Sequence, residues 1–152
     1  TVALRMKQHC LNAEKTVEYL SKHKNVARVI YPTKYDGEIG KRAKKYLKGG
    51  YGGLVGIELK GGIEAGKKFI EALKMFYHVA NIGDARSLAI HPGSTTHSQL
   101  NEKELLAAGV TPGYVRLAIG IEHIDDIIED LEQALNRASD NIENIKKAKA
   151  VG

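Results

Sequence analysis

The sequence predicts an α+β fold, a small sheet with helices packed mainly on one face. Two observations carry that expectation. Stretches with apolar residues at helical spacing take turns along the chain with short β-branched runs. The chain has 152 residues, 43% hydrophobic and 27% charged, which suffices for one domain with a core. Periodicity alone leaves the sheet free to be parallel or antiparallel.

The opening stretch is helical. Met6, Cys10, Ala13, Val17 and Leu20 form one apolar stripe, with lysines and glutamates opposite. Cys10 falls on that stripe, which points to packing rather than catalysis. Val26 to Tyr31 is rich in β-branched residues and stops at Pro32, as a strand does. Asp36-Gly37 marks a turn. Residues 38–48 read as a short basic helix with Ile39, Ala43 and Leu47 inward. Gly49, Gly50, Gly52 and Gly53 break regular structure. A phosphate cradle needs a strand before the glycines and a helix after them. Here the strand Leu54 to Leu59 comes after, so the glycines read as a flexible entry.

Ile63 to Met75 is predicted helical, with Gly66 a place for close packing. A polar segment, residues 78–100, holds a short strand near Ser87 to Ile90. Asn101 and Glu104 make a capping box for a short helix closed at Gly109. Val115 to Ile121 reads as a strand. The last helix starts near Ile124 and buries Ile124, Ile127, Ile128, Leu131 and Leu135, with Asp125 and Asp126 facing its positive end. His123 stands before it and caps less well than Asp, which predicts a looser start. One domain is expected over residues 1–138, with the lysine-rich residues 139–152 as a helical extension or tail.

The net charge of +5 gathers in Lys41, Arg42, Lys44, Lys45 and Lys48 and in Lys146, Lys147 and Lys149. Without stacking aromatics or a nucleic-acid motif this is a solvated helix face and a basic tail, and no nucleic-acid partner is expected. No apolar run reaches membrane-spanning length and no signal peptide opens the chain. With one cysteine, Cys10, the sequence fits a reducing, cytoplasmic setting. Thr1 is not an initiator Met, so a processed chain or a piece of a longer one is expected.

Arg116 is the one charge in the run Tyr114-Val115-Arg116-Leu117-Ala118-Ile119. A guanidinium on a strand is a fixed fork that suits a carboxylate, either a ligand's or that of a neighbouring Asp or Glu. Asn81, in Val79-Ala80-Asn81-Ile82-Gly83-Asp84, either satisfies its own turn or completes a carboxylate site with nearby backbone N–H groups. His78, His91 and His97 match no zinc spacing, so no metal is expected. Ser94, Thr95, Thr96 and His97 lack the acid and the elbow that a nucleophile needs.

The order and spacing of these segments resemble the C-terminal domain of the pyridoxal-phosphate enzymes of cysteine and methionine metabolism. The likeness rests on Leu4-Arg5-Met6-Lys7-Gln8-His9-Cys10-Leu11-Asn12-Ala13, Val29-Ile30-Tyr31-Pro32, the segment 81–97 and Arg116-Leu117-Ala118-Ile119-Gly120-Ile121-Glu122. It extends from about Thr1 to Leu135. Residues 80–84 are similar to the O-acetylhomoserine sulfhydrylase branch rather than to the cystathionine γ-synthase and γ-lyase branches.

The resemblance implies a mainly antiparallel sheet. It implies γ-replacement, with sulfide displacing acetate from O-acetylhomoserine to give homocysteine. Arg116 would hold the α-carboxylate of a small amino-acid substrate, as the arginine does in the family's Arg-Leu-Ser-Val-Gly-Ile-Glu motif. Ala118 and Ile119 replace the Ser and Val there. Asn81 and Ile82 would border that site and Thr95 would shape its wall, while His91 and His97 stay structural. The family's cofactor lysine has no matching motif in this chain. Pyridoxal 5'-phosphate is therefore expected to be held by an N-terminal part of the same enzyme, with no catalytic or cofactor-binding residue in this stretch. The complete enzyme is expected to be a homo-oligomer, a tetramer. Two alternatives remain: a cystathionine γ-synthase or γ-lyase type of domain, and a free-standing, non-catalytic binding module.

Overall fold

Helix α1 (Val2–Leu20) begins the fold. The computed structural model describes residues 1–95, 101–107 and 110–150, the side chains of 102, 105, 106 and 140–150 excepted. The stripe read from sequence buries Cys10, Ala13, Val17 and Leu20, while Met6 stays partly exposed near the helix start. Cys10 is buried and free. A second buried line on α1 is polar and consists of His9, Asn12 and Thr16.

Five strands follow: β1 (Val26–Ile30), β2 (Leu54–Leu59), β3 (Tyr77–His78), β4 (Leu88–Ile90) and β5 (Tyr114–Ala118). Their order in the sheet is β1-β2-β5-β4-β3. All pairs are antiparallel except β3 with β4. The fold is thus α+β with a mainly antiparallel sheet. Strand β3 is the element missed in the sequence. It has two residues, too few for a period-2 signal.

Alternation along β2 and β5 sends Val55, Ile57, Leu59, Val115 and Leu117 to one face. Helices α3 (Gly62–Ala72) and α5 (Ile124–Ala150) cover that face with Phe69, Ile127, Leu131 and Leu135, and α1 adds Ala13, Val17 and Leu20. The helix-covered face holds the hydrophobic core of the described residues. Gly66 of α3 packs on the His91 ring, where a Cβ would overlap it.

Helix α2 (Gly37–Tyr46) departs from expectation. Ile39 and Leu47 are exposed, not inward. The reason is local: α2 packs beside the 3-10 turn Pro32–Lys34 rather than against the sheet, and its one buried residue is Gly40, pressed on the Tyr35 carbonyl. A helix with no core to face has no use for its stripe.

Helix α4 (Glu102–Ala107) carries the capping box. Asn101 N–H donates to Glu104 Oε2 at 2.8 Å and Glu104 N–H to Asn101 Oδ1 at 3.1 Å. Its closure at Gly109 lies outside the described residues. The start of α5 is firmer than histidine's capping record suggests, because His123 Nδ1 accepts the Asp125 N–H at 3.3 Å. On α5, buried Asp130 accepts the backbone N–H groups of Lys74, Met75 and Phe76 at 2.9, 2.8 and 3.2 Å. A carboxylate satisfied by three donors is tolerable in a core. It pins the chain between α3 and β3.

Candidate carboxylate-binding site

Arg116 sits at the centre of β5, opposite Gly56 of β2 on one side and Ile90 of β4 on the other. Alternation puts it on the face of the sheet away from α3 and α5, together with Tyr114. Gly56 makes room there. A Cβ at that position would lie 2.8 Å from the Tyr114 ring and 3.1 Å from its hydroxyl. Tyr114 therefore lies across β2, over the residue opposite Arg116. Burial pushes its phenol up, with the Arg116 charge opposing, so it is a protonated donor at neutral pH.

The guanidinium is only partly satisfied. Arg116 Nη2 donates to the Asn81 carbonyl at 3.3 Å, and its buried Nε finds no hydrogen-bond partner among the described residues. No carboxylate lies within ion-pair distance of it among those residues. Of the two partners a strand arginine invites, the internal acid is therefore absent among the described residues. An always-charged group with unused donors suits an external carboxylate.

Two apolar clefts share Leu54, and Arg116 lines one of them. One, of about 320 Å³, is lined by Arg116 and Tyr114 with Ile30, Tyr31, Pro32, Tyr35, Leu54 and Gly56. The other, also about 320 Å³, is lined by Met6, His9, Tyr51, Gly53, Leu54, Ile82, Gly83, Ala118 and Ile119. Tyr31 is held in the wall by its hydroxyl, which donates to the Gly52 carbonyl at 2.8 Å.

Asn81 meets Arg116 through its backbone carbonyl, not its amide, and its side chain is exposed. Ile82 is exposed and lines the second cleft. Gly83 has φ +75°, which only glycine takes without strain. Asp84 closes the turn by accepting the Arg86 N–H at 2.9 Å and its guanidinium at 3.3 Å. These bonds hold the Asp84 carboxyl below its usual range. The Arg86 guanidinium also lies 4.4 Å over the Tyr77 ring.

Thr95 is placed differently. Its hydroxyl donates to the His91 carbonyl at 2.8 Å, and it makes no hydrogen bond to Arg116 or Asn81. His91 is fully buried. Its Nε2 lies 2.7 Å from the Pro112 carbonyl and its Nδ1 2.8 Å from Ser94 Oγ. A carbonyl only accepts, so Nε2 carries the proton and Nδ1 accepts from Ser94. Burial lowers the imidazole's pKa, and the charges of Lys67 and His78 add to that. His97 lies outside the described residues. Among the described residues no three His, Cys, Asp or Glu side chains gather as metal ligands.

Several supporting residues escape a sequence reading. His9 Nδ1 bonds to the Ile119 carbonyl at 2.6 Å. Asn12 donates to the carbonyls of Gly120 and Glu122 at 3.1 and 2.9 Å. Glu122 accepts Ser87 N–H at 2.6 Å and its hydroxyl at 3.0 Å, and Ser87 Oγ accepts the Gly120 N–H at 2.9 Å. Together they fix the exit of β5, three to six residues beyond Arg116. The available signal was a polar line at 5, 9 and 12 beside the apolar stripe.

Comparison with known proteins fits this geometry. A family model described as Cys/Met metabolism PLP-dependent enzyme matches residues 1–136. An O-acetyl-L-homoserine sulfhydrylase of Leptospira meyeri is 54% identical over 136 residues, which are 89% of this chain and 31% of that protein. An L-methionine gamma-lyase of Fusobacterium nucleatum subsp. polymorphum is 44% identical over 137 residues, 90% of this chain and 34% of that one. A solved structure from Campylobacter jejuni, described as an O-acetylhomoserine (thiol)-lyase with N'-pyridoxyl-lysine-5'-monophosphate, superposes with a TM-score of 0.79. It is 41% identical and shares 88% of this chain and 32% of its own. The chain spans about a third of the length of these relatives. No helix among the described residues is long and apolar enough to cross a membrane.

Proposed function

The chain belongs to the Cys/Met metabolism PLP-dependent enzymes, and from that premise we propose that it is the substrate-carboxylate-binding part of a γ-replacement enzyme. The reaction would make homocysteine from O-acetylhomoserine and sulfide. One observation carries the proposal: a strand-borne guanidinium lining an apolar cleft, with a buried Nε unpartnered and no carboxylate within ion-pair distance among the described residues. The identity to a named O-acetyl-L-homoserine sulfhydrylase supports the choice of substrate.

The cofactor's own place is elsewhere. Neither of the two clefts is lined by a lysine, so these residues do not fit covalent attachment of pyridoxal phosphate. The electron-sink chemistry would come from the cofactor, held by a further part of the enzyme or by a partner subunit of a homo-oligomer. This chain's residues would bind and orient. Arg116 would take the α-carboxylate, Tyr114 would border it, and the apolar walls would exclude water. Asn81 and Ile82 would form the edge through the backbone carbonyl and the aliphatic side chain. Thr95, tied to His91, would support the wall from behind.

The test is kcat/KM for O-acetylhomoserine in the complete, cofactor-loaded enzyme. A charge-assisted contact is worth about 1.5–3 kcal/mol, so Arg116→Ala should lose roughly ten- to 150-fold. Arg116→Lys keeps the charge without the fork and should recover part of it. Near-wild-type values in Arg116→Ala would refute the carboxylate role. A second reading, γ-elimination, is favoured by the methionine gamma-lyase relative. Release of ammonia and a 2-oxo acid without sulfide would select it.

A further inference from the structure

Along α1, Arg5, His9 and Asn12 lie on one line, a turn apart each. The lower two are anchored. His9 bonds Ile119 O at 2.6 Å, and Asn12 reaches Gly120 O and Glu122 O at 3.1 and 2.9 Å. These bonds tie the helix to the segment just after the strand that carries Arg116.

One turn above His9, the same line delivers a guanidinium to a different piece of backbone. Arg5 Nη1 donates to the Gly83 carbonyl at 3.5 Å, a long bond. Its buried Nε, like that of Arg116, has no partner among the described residues. The loop is thus held from two sides, by Arg116 at the Asn81 carbonyl and by Arg5 at the Gly83 carbonyl. Between those points lies only Ile82, whose side chain is exposed, and Gly83 itself is left-handed. Just beyond it, Asp84 pairs with Arg86 and leaves Arg5 outside any ion pair among the described residues.

We propose that Arg5 is a positioning residue of the carboxylate site, holding the Asn81–Gly83 loop in place beside Arg116 before substrate arrives. The proposal rests on the carboxylate reading of Arg116. A loop set in advance does not have to be ordered on binding, and that difference appears in affinity. Arg5 touches neither substrate nor cofactor in this scheme, so its effect belongs in KM for the carboxylate-bearing substrate.

The test uses the complete enzyme with cofactor bound, assayed with O-acetyl-L-homoserine and sulfide. Arg5→Met should raise KM for the amino acid roughly three- to tenfold, the equivalent of one net hydrogen bond. The KM for sulfide and the cofactor absorbance should not move. Arg5→Lys should restore part of the loss, since an ammonium can reach one carbonyl. Gln133→Ala, which loosens α5 against the end of α3 on the opposite face and touches neither α1 nor the loop, should lower Tm and leave that KM in place. Should Arg5→Met not fold, Arg5→Gln provides the same comparison. If Arg116→Ala raises KM and the Arg5 variants do not, the positioning role is overturned and the carboxylate reading stands. If Arg116→Ala leaves KM unchanged, both fail together.

Discussion

The two faces of β5 obey opposite rules. On one, Val115, Leu117 and Ile119 are at most 2% exposed and meet Phe69, Ile127 and Leu131. On the other, Tyr114 and Arg116 are half-buried beside clefts, and the Arg116 Nε goes without a partner among the described residues. The core face is complete within the chain. The other keeps donors in reserve. A strand five residues long can thus be scaffold and binding surface at once, because successive side chains point opposite ways. What stabilises this strand and what makes it useful are separable, residue by residue.

That separation can be attacked from its strong side first. Phe69 is fully buried at the centre of the core face. Phe69→Ala should cost about 3–5 kcal/mol in chemical denaturation, and a loss below about 1 kcal/mol would mean the face is not the core it looks like. A middle-sized effect comes from His91, which links α3 to the turn after β4. Its folded pKa is lowered, so the unfolded chain binds more protons once the pH drops below the ordinary 6.5. Its contribution is fully present above that value and is lost as pH falls through the lowered one, by at most about 1.4 kcal/mol per pH unit for one proton. His91→Gln should flatten the fall of Tm on acidification relative to the parent. Some slope will remain from His23, also lowered by burial. An unchanged slope would remove His91 from the account.

The smallest stability effect should belong to the residue with the largest effect on substrate use. Arg116→Met should alter unfolding free energy by no more than about 0.5 kcal/mol, since it removes a cation whose stabilising contacts are few. A loss of several kcal/mol, read by denaturant titration, would show that the open face is structural too.

Much of the fold could be read in advance because local pattern and tertiary need agree. The α1 and α5 stripes, β2 to the residue, and the Asn101–Glu104 cap are all short-range signals. What stayed hidden links residues far apart. Asp130 reaches back to Lys74 through Phe76, Glu122 to Ser87, and Asn12 forward to Gly120 and Glu122. No window of sequence contains both partners. Ile39 and Leu47 misled for the converse reason, a local stripe with no tertiary surface to meet. In the site, Arg116 stood out as a lone charge in an apolar strand. The roles of Arg5 and of the Asn81 carbonyl could not, since a backbone acceptor is present at every position and only the fold selects one.

The Gly66–His91 contact carries one more implication. A single added methyl on α3 would overlap an imidazole that is itself tied to Pro112 and Ser94. The two positions therefore behave as one heritable unit. A descendant that gains bulk at 66 can keep its fold only by shrinking 91, and it then forfeits the hydrogen bonds that hold the turn. Drift at either position is coupled to the other, although 24 residues lie between them in the chain.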